Sequence, residues 1–340
     1  MIRPGTDQSL AVVIPVWNLP DDLTTLLAQI RALAVFDEVI VADDASVPPC
    51  DPRGADWPTS GRGRLIYLRS DQQRGAGHAR NLGLSQVTAS NVIFFDADDH
   101  FRPDFAAIWR RHAAGIPLDD TDTDEMGAML PPDFTIFRHV DSRVETGDGS
   151  FPTEEAIWTR ILGDRHEAVL TARQRTEMSN ISAYPWNKIY RTDFLRSSGL
   201  HCSETPVHND LKLHWLSFAR ASRVLAVPDL GAVHIVGDRD HHLTQRSGTD
   251  RFCVFDVIAD VREQLRGLGR GSVMIREFIH FSEKLLRWNL ERIEPALRPR
   301  FLARSRACLL GFAPDEFTLF AQAYPDQAAR TVDFLMNVEA

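Results

Sequence analysis

The sequence predicts an α/β protein, a mainly parallel sheet flanked by helices, with an all-helical C-terminal appendage. Three observations lead there. Between residues 10 and 115, short apolar or β-branched runs alternate with segments of helical periodicity, the order expected of βαβ units. Two of those runs end in clustered aspartates, Asp43-Asp44 and Asp96-Ala97-Asp98-Asp99. After Asp250 the strand signals stop, and only helical periodicity continues.

Leu10–Val16 is an apolar run that reads as the first strand, and Pro20–Leu33 follows with Leu23, Leu26, Leu27, Ile30 and Leu33 at helical spacing. Glu38–Ala42 and Leu65–Leu68 read as the next two strands. A helix over Gly77–Val87 then leads into the buried-strand pattern Val92–Phe95, and Pro103 opens a further helix that continues through Trp109. The acidic, turn-rich stretch Pro117–Glu125 reads as a connecting loop. Beyond it come a strand near Phe134–His139, a helix near Thr153–Leu162, a strand near Asn187–Arg191, a helix from Asp210 to about Ala221, and strands near Arg223–Val227 and Ala232–Val236. Helices are expected near Phe252–Leu265, Val273–Arg292, Pro299–Leu310 and Pro314–Ala323. This divides the chain into a domain at 1–248, with halves at about 10–115 and about 133–248, and an appendage at 249–340, the boundary falling in the polar segment Gly237–Thr249.

With 340 residues, 44% of them hydrophobic, the chain can bury a sizeable core, which excludes disorder as its main state. Its 38 basic and 47 acidic residues give a net charge of −9, which argues against a nucleic-acid protein. Cys50, Cys202, Cys253 and Cys308 form no C-x-x-C pair, so no zinc or dithiol site can be read from their spacing. No run approaches about 18 apolar residues, and the N-terminus lacks the pattern of a signal peptide; a reducing cytoplasm fits best. Arg262 to Arg306 holds an excess of basic over acidic residues, which reads as solvated helix faces or as a docking face for an anionic lipid or acceptor.

Carboxylates at the C-terminal ends of strands stand where open α/β sheets bind ligands. Asp96 and Asp98 are hard oxygen donors one residue apart, suited to Mg²⁺ or Mn²⁺ when substrate phosphates complete the shell. Each candidate has a structural alternative. Asp210 could be an N-cap, Asp44 the end of a strand, Arg80 a surface ion pair, Trp186 core packing and Lys188 a structural cation. His201, His208 and His214 show no ligand pattern and read as ordinary surface or core histidines.

The motifs occur in an order that resembles glycosyltransferase family 2, the inverting nucleotide-sugar transferases of GT-A fold, over about Leu10 to Gly248. Val12-Val13-Ile14-Pro15-Val16-Trp17-Asn18 looks like the family's opening strand and turn, with Trp17 where Tyr or Phe is usual. Ile40–Ser46 looks like its D-D-x-S segment, in which Asp44 would contact the base. Gly77–Gly83 is similar to the A-R-N-x-G helix start that brings Arg80 to the donor pocket. Phe94–Asp99, followed by Arg102-Pro103-Asp104, is close to the family's D-x-D and P-D. Pro185-Trp186-Asn187-Lys188 is similar to a W-N-K segment of polysaccharide members, and Glu204–Asp210 resembles the approach to the E-D motif, with Asn209 in place of Glu. Asp238–Thr244 is similar to a loop that closes on the donor diphosphate.

The resemblance implies a hexosyltransferase using a UDP-sugar and Mn²⁺ or Mg²⁺ in polysaccharide or glycoconjugate synthesis. Asp210 would be the catalytic base, Asp98 and Asp96 the metal ligands, and Pro15, Trp17, Asp44, Arg80, Asp96, Ala97, Arg239 and His242 the donor contacts. Trp186 and Lys188 would face the acceptor, a saccharide or lipid-linked hydroxyl. The C-terminal helices could also serve a peripheral contact with the inner membrane face, or self-association. A non-catalytic nucleotide-sugar or glycan binding module stays open as the alternative, because Asn209 departs from the motif.

Overall fold

The computed structural model describes residues 8–54, 57, 63–117, 129–144, 149–236, 246–268 and 271–336. The first half runs β1 (Leu10–Val16), α1 (Pro20–Leu33), β2 (Glu38–Asp43), β3 (Arg64–Arg69), α2 (Ala76–Gln86), β4 (Asn91–Phe94), β5 (His100–Phe101) and α3 (Phe105–Ala114). A short pair, β6 (Ile116–Pro117) and β7 (Met129–Leu130), precedes β8 (Phe134–Asp141), α4 (Pro152–Leu162), β9 (Ala168–Val169) and α5 (Ala172–Met178). Then come β10 (Lys188–Arg191), α6 (Thr192–Ser197), α7 (Leu211–Arg220) and β11 (Val224–His234). The remaining helices are α8 (Cys253–Gly267), α9 (Gly271–Arg292), α10 (Arg298–Leu310), α11 (Pro314–Ala323) and α12 (Pro325–Met336).

One sheet carries the site, in the order β3-β2-β1-β4-β10-β8-β11-β5, with β9 paired to β11. The strands β3, β2, β1 and β4 are parallel, whereas β10 runs antiparallel to both β4 and β8. The C-terminal ends of β1, β2 and β4 and the N-terminal end of β10 therefore share one edge. Central β1 is buried along its whole length, which is why it reads as a continuous apolar run rather than an alternating one. Helix α1 is fixed by local chemistry as well as burial. Pro20 occupies its first turn, Asp21 and Asp22 complement the positive end of its dipole, and Leu23, Leu26, Leu27 and Ile30 face the sheet.

Alternate residues of β1 enter two cores. Val12 and Ile14 pack with α1 and α3, while Ala11 and Val13 belong to a core that runs through α7 into the C-terminal helices. Trp215 on α7 meets Phe278 and Phe281 of α9 edge-on, at centroid separations of 4.9 and 5.3 Å. Aromatic burial of this size joins α9 to the sheet-bearing half. Among the described residues no helix is long and apolar enough to cross a membrane.

Several expectations are refined. The strands expected near Arg223–Val227 and Ala232–Val236 are one strand, β11, whose register against β8 shifts between Val227 and Leu230 and again between Leu230 and Ala232. Pro228, which lacks an N–H, lies in the first irregularity, as expected of a proline in a strand. The short helices α5 and α6 and the final helix α12 add to the expected elements; α5 is set by a local capping box between Thr171 and Gln174. Much of the C-terminal basic excess is matched by acids brought alongside, Arg266 by Glu316, Arg276 by Glu277 and Arg304 by Asp256, with Arg262, Arg287 and Arg292 paired likewise. Most of the acidic loop, at 118–128, and residues 237–245 of the expected domain boundary lie outside the described residues.

Candidate functional site

The shared edge begins with the turn after β1. Asn18 adopts a left-handed φ of 53°, its N–H donates to Ser46 Oγ (2.9 Å), and its Oδ1 accepts from Val47 N–H (2.7 Å). This ties the turn carrying Trp17 to the loop after β2. Pro15 is buried in β1 opposite Ala42, and Trp17 is half-buried at the edge. The two aspartates after β2 have different jobs. Asp43 is fully buried and accepts from the backbone N–H groups of Ser46 and Cys50, the Tyr67 hydroxyl and Arg69. Burial works against its charge, but those donors outweigh it and hold its pKa below the ordinary value. Asp44 instead accepts from the backbone N–H groups of Arg74 (2.9 Å) and Gly75 (2.6 Å), fixing the entry to α2.

Helix α2 then approaches the 203–210 segment as closely as glycine permits. A Cβ on Gly77 would stand 2.0 Å from the Ser203 carbonyl oxygen, so only hydrogen fits. One turn later Arg80 is almost fully buried, one arm of its guanidinium on Asn209 Oδ1 (2.5 Å) and the other on Asp96 Oδ1. Burial alone would disfavour its charge; Asp96, Cys202 and Asp210 overcome that and raise its pKa. The surface ion-pair alternative for Arg80 is thereby replaced by an internal bridge between β4's D-x-D and the loop before α7. The planar fork of arginine suits two acceptors at once.

Asp210 stands at the N-terminal end of α7, yet its side chain makes no capping bond to that helix. The capping alternative therefore does not account for it. Burial raises its carboxyl to about 6, Arg80 and Lys188 pulling the other way and Asp96 adding to the rise. Lys188, fully buried, donates to Tyr184 O (2.7 Å) and Asn187 Oδ1 (2.6 Å). Its own pKa is lowered to about 7, mainly by burial and against the attraction of Asp210 and Glu154. A carboxyl and an amine with values brought towards neutrality thus lie within electrostatic reach of each other, an arrangement enriched at functional sites.

Beside Lys188 lies an aromatic and histidine cluster. Trp186 is fully buried and stacks on Tyr184 (4.6 Å), with His139 edge-on to both rings and His234 tilted against them. His234 Nδ1 and the Ile235 N–H both meet Asp99 Oδ1 at 2.9 Å, which pins the turn after Asp98 to the end of β11. Trp186 and Lys188 expose no surface, so in this arrangement neither presents an open platform. Ala97 is buried between Asp96 and Asp98, both half-buried. Arg239 and His242, expected on the diphosphate, lie outside the described residues. Tyr184, His139 and His234 belong to none of the expected motifs. They come together only through tertiary pairing, His139 near the end of β8, His234 at the end of β11 and Tyr184 in the loop before β10.

Residues 11–113 match the sequence model of the family described as Glycosyl transferase family 2. These residues, under a third of the chain, thus carry a sequence pattern similar to that family, within a mixed α/β fold of GT-A type. Among curated proteins it is similar to the succinoglycan biosynthesis protein ExoO of Rhizobium meliloti (strain 1021), 33% identical over 129 residues, which is 36% of each chain. The match therefore spans about a third of that relative's length. Among solved structures, S. aureus TarS 1–349 in complex with UDP-GlcNAc superposes with a TM-score of 0.69 at 16% identity, covering 98% of this chain and 90% of that one. The mannosyltransferase PcManGT from Pyrobaculum calidifontis, in complex with GDP-Man and Mn²⁺, gives a TM-score of 0.52 at 16% identity, covering 98% and 85%. These likenesses establish the fold, and they extend into the C-terminal helices.

Proposed function

We propose that this chain is an inverting glycosyltransferase that moves a sugar from a UDP-sugar to a hydroxyl of a saccharide or lipid-linked acceptor in polysaccharide or glycoconjugate synthesis. What supports this most is Asp210, an enclosed carboxyl that caps nothing, faces Arg80, Asp96 and Lys188, and has its pKa raised to about 6. A base so tuned is ionised at neutral pH and still basic enough to take a proton from a hydroxyl as it attacks. In the transfer, the acceptor proton passes to Asp210 while the acceptor oxygen bonds to the anomeric carbon. The bond to the diphosphate breaks on the opposite face, its electron pair leaving with the nucleoside diphosphate. No protein nucleophile is needed. The UDP preference draws on the UDP-GlcNAc complex of TarS, and the polysaccharide context on ExoO.

Among the described residues no cluster of three or more His, Cys, Asp or Glu side chains forms a metal site built from protein ligands alone. Asp96 and Asp98 nevertheless fit an ion that takes one or two carboxylates from the protein and the rest of its shell from phosphates and water. Mn²⁺ or Mg²⁺ held there would neutralise charge on the departing diphosphate. Arg80 fixes one oxygen of Asp96, so the carboxylate is oriented before donor arrives. Asp44, through Arg74 and Gly75, shapes the base-side wall beside Trp17 and Pro15. Arg239 and His242 are the candidates to close on the diphosphate, while Trp186 and Lys188 support the acceptor side from below.

The test pairs a thermal-shift panel of UDP-, GDP-, dTDP- and CMP-sugars, with Mn²⁺, Mg²⁺ or EDTA, with NMR of the product anomer. A metal-dependent rise in Tm with UDP-sugars and an inverted product are expected. Donor binding without release or transfer of sugar to any acceptor in a saccharide and lipid-linked panel would favour the binding module instead.

A further inference from the structure

We infer that the C-terminal helices take part in building the transfer site: Asn289 on α9 and Arg251 before α8 hold His208 in the backbone conformation that sets where Asn209 and Asp210 stand. The inference rests on the reading of Asp210 as the base. His208 has a φ of +58°, in the left-handed region that residues with a side chain seldom adopt. Something must therefore hold it there, and the structure supplies a specific clamp. His208 Nε2 lies 3.1 Å from Asn289 Oδ1, and Arg251 Nη1 donates to the same oxygen at 2.8 Å. Asn289 Nδ2 donates to Leu285 O (2.8 Å), which fixes the orientation of the amide. Oδ1 is then the acceptor, and Nε2 of His208 must carry the proton.

The clamp is built to stay in one state. Asn289 and Arg251 are buried, and the guanidinium of Arg251 lies over the Trp288 ring at 4.8 Å, with the His208 ring edge-on to that indole. Burial, with Arg251 nearby, lowers His208 to about 4, so the imidazole is neutral at working pH and its single proton stays committed to Asn289. Immediately after His208, Asn209 receives Arg80 and its carbonyl accepts from Ser203 N–H (2.8 Å), and Asp210 follows. A path of direct contacts thus joins α9 to the D-x-D: Asn289, His208, Asn209, Arg80, Asp96. His208, Asn289 and Arg251 are positioning residues, since none of them meets the reacting atoms.

The experiment exploits the backbone. His208→Ala removes the hydrogen bond and leaves a residue strained at positive φ, whereas His208→Gly removes the same bond but accepts that φ freely. Transfer from UDP-GlcNAc, or from the donor found in the panel above, is compared in wild type and both variants. In parallel the Asp210 carboxyl is titrated by ¹³C NMR, assigned against Asp210→Asn. We expect His208→Ala to lose at least ~10-fold in kcat, with donor KM changed less than ~2-fold, because a small displacement of the base is enough. The Asp210 midpoint should fall from about 6 towards the ordinary value as the loop opens to water. His208→Gly should keep both near wild type, and should restore transfer when added to Asn289→Ala. Equal kcat and equal Asp210 midpoints in the Ala and Gly variants, both lowered or both unchanged, would overturn the inference. Full transfer by Asp210→Asn would instead overturn the base assignment, leaving the Ala-against-Gly difference in the titration intact.

Discussion

If Asp210 is the base, the pH dependence of transfer is set by the burial of one carboxyl. Its ordinary value is 3.8 and the fold raises it to about 6. Only the ionised form accepts the acceptor proton, so kcat/KM should fall as pH drops through 6. At pH 7 about nine-tenths of the sites are ionised and at pH 5 about one-tenth, a loss of roughly 10-fold, where an unperturbed aspartate would lose under ~10%. The same enclosure acts on stability. Because the folded value lies above the unfolded one, the neutral carboxyl favours the fold below pH 3.8, and that contribution is lost as pH rises through 6. At ~1.4 kcal/mol for each tenfold change in proton affinity, the ionised group costs about 3 kcal/mol at pH 7, an upper figure because part of the residue reaches solvent. Asp210→Asn should therefore abolish transfer yet raise Tm at pH 7, with a smaller gain at pH 5. The assay is donor turnover with acceptor in excess from pH 4.5 to 8.5, beside melting curves of both proteins. A rate flat down to pH 5, or an Asp210→Asn variant less stable than wild type at pH 7, would refute the reasoning.

The division of roles predicts that Asp98→Ala weakens metal-dependent donor binding while Asp210→Asn spares it, read by calorimetry with UDP-sugar and Mn²⁺; equal loss in both would contradict it. Arg80→Ala leaves the half-buried Asp96 and the buried Asn209 without their shared partner and should destabilise the fold by about 1–3 kcal/mol in denaturant titration. Arg80→Lys should keep more of the fold but lose the two-armed bridge, so that transfer falls well before stability does. Asn209→Glu would bring a second negative charge next to Asp210 and compete for Arg80, and should move the acid limb of the rate profile above pH 6; an unmoved or lowered limb counts against the charge argument. Gly77→Ala, with its methyl driven into the Ser203 carbonyl, should lower stability by about 1–3 kcal/mol, and an unchanged Tm would show that α2 has room to retreat.

What the sequence makes legible is what local chemistry determines. The helix Pro20–Leu33 is read to its ends because a proline, two acids and a single apolar face lie within 14 residues. Strand β1 is legible because burial on both sides leaves no polar position to confuse the period. The one strand read as two, β11, fails for a local reason too: Pro228-Asp229 carries turn chemistry that the bulge absorbs without ending the pairing with β8. Helix α12 opens on Pro325 and Asp326, but its place is set by distant partners, Gln327 donating to His280 O and to Glu283 of α9.

The site divides along the same line. Asp96 and Asp98 follow a strand, and Asp210 precedes a helix, whose ends are visible in the sequence. Their roles depend on contacts no spacing encodes, such as Arg80 meeting a residue 129 positions away and His208 meeting one 81 away. Those distant contacts decide which carboxylate serves which end. Asp43 is ringed by four donors and held as an anion, Asp96 is bound to a guanidinium, and Asp210 is enclosed with no hydrogen-bonding cap. Asp43 and Asp210, carboxylates of one chemical type, are thus set apart in proton affinity by their surroundings alone. An anion held below its ordinary value, as Asp43 is, orders backbone; Asp210, raised to about 6 at the mouth of α7, is placed to move a proton.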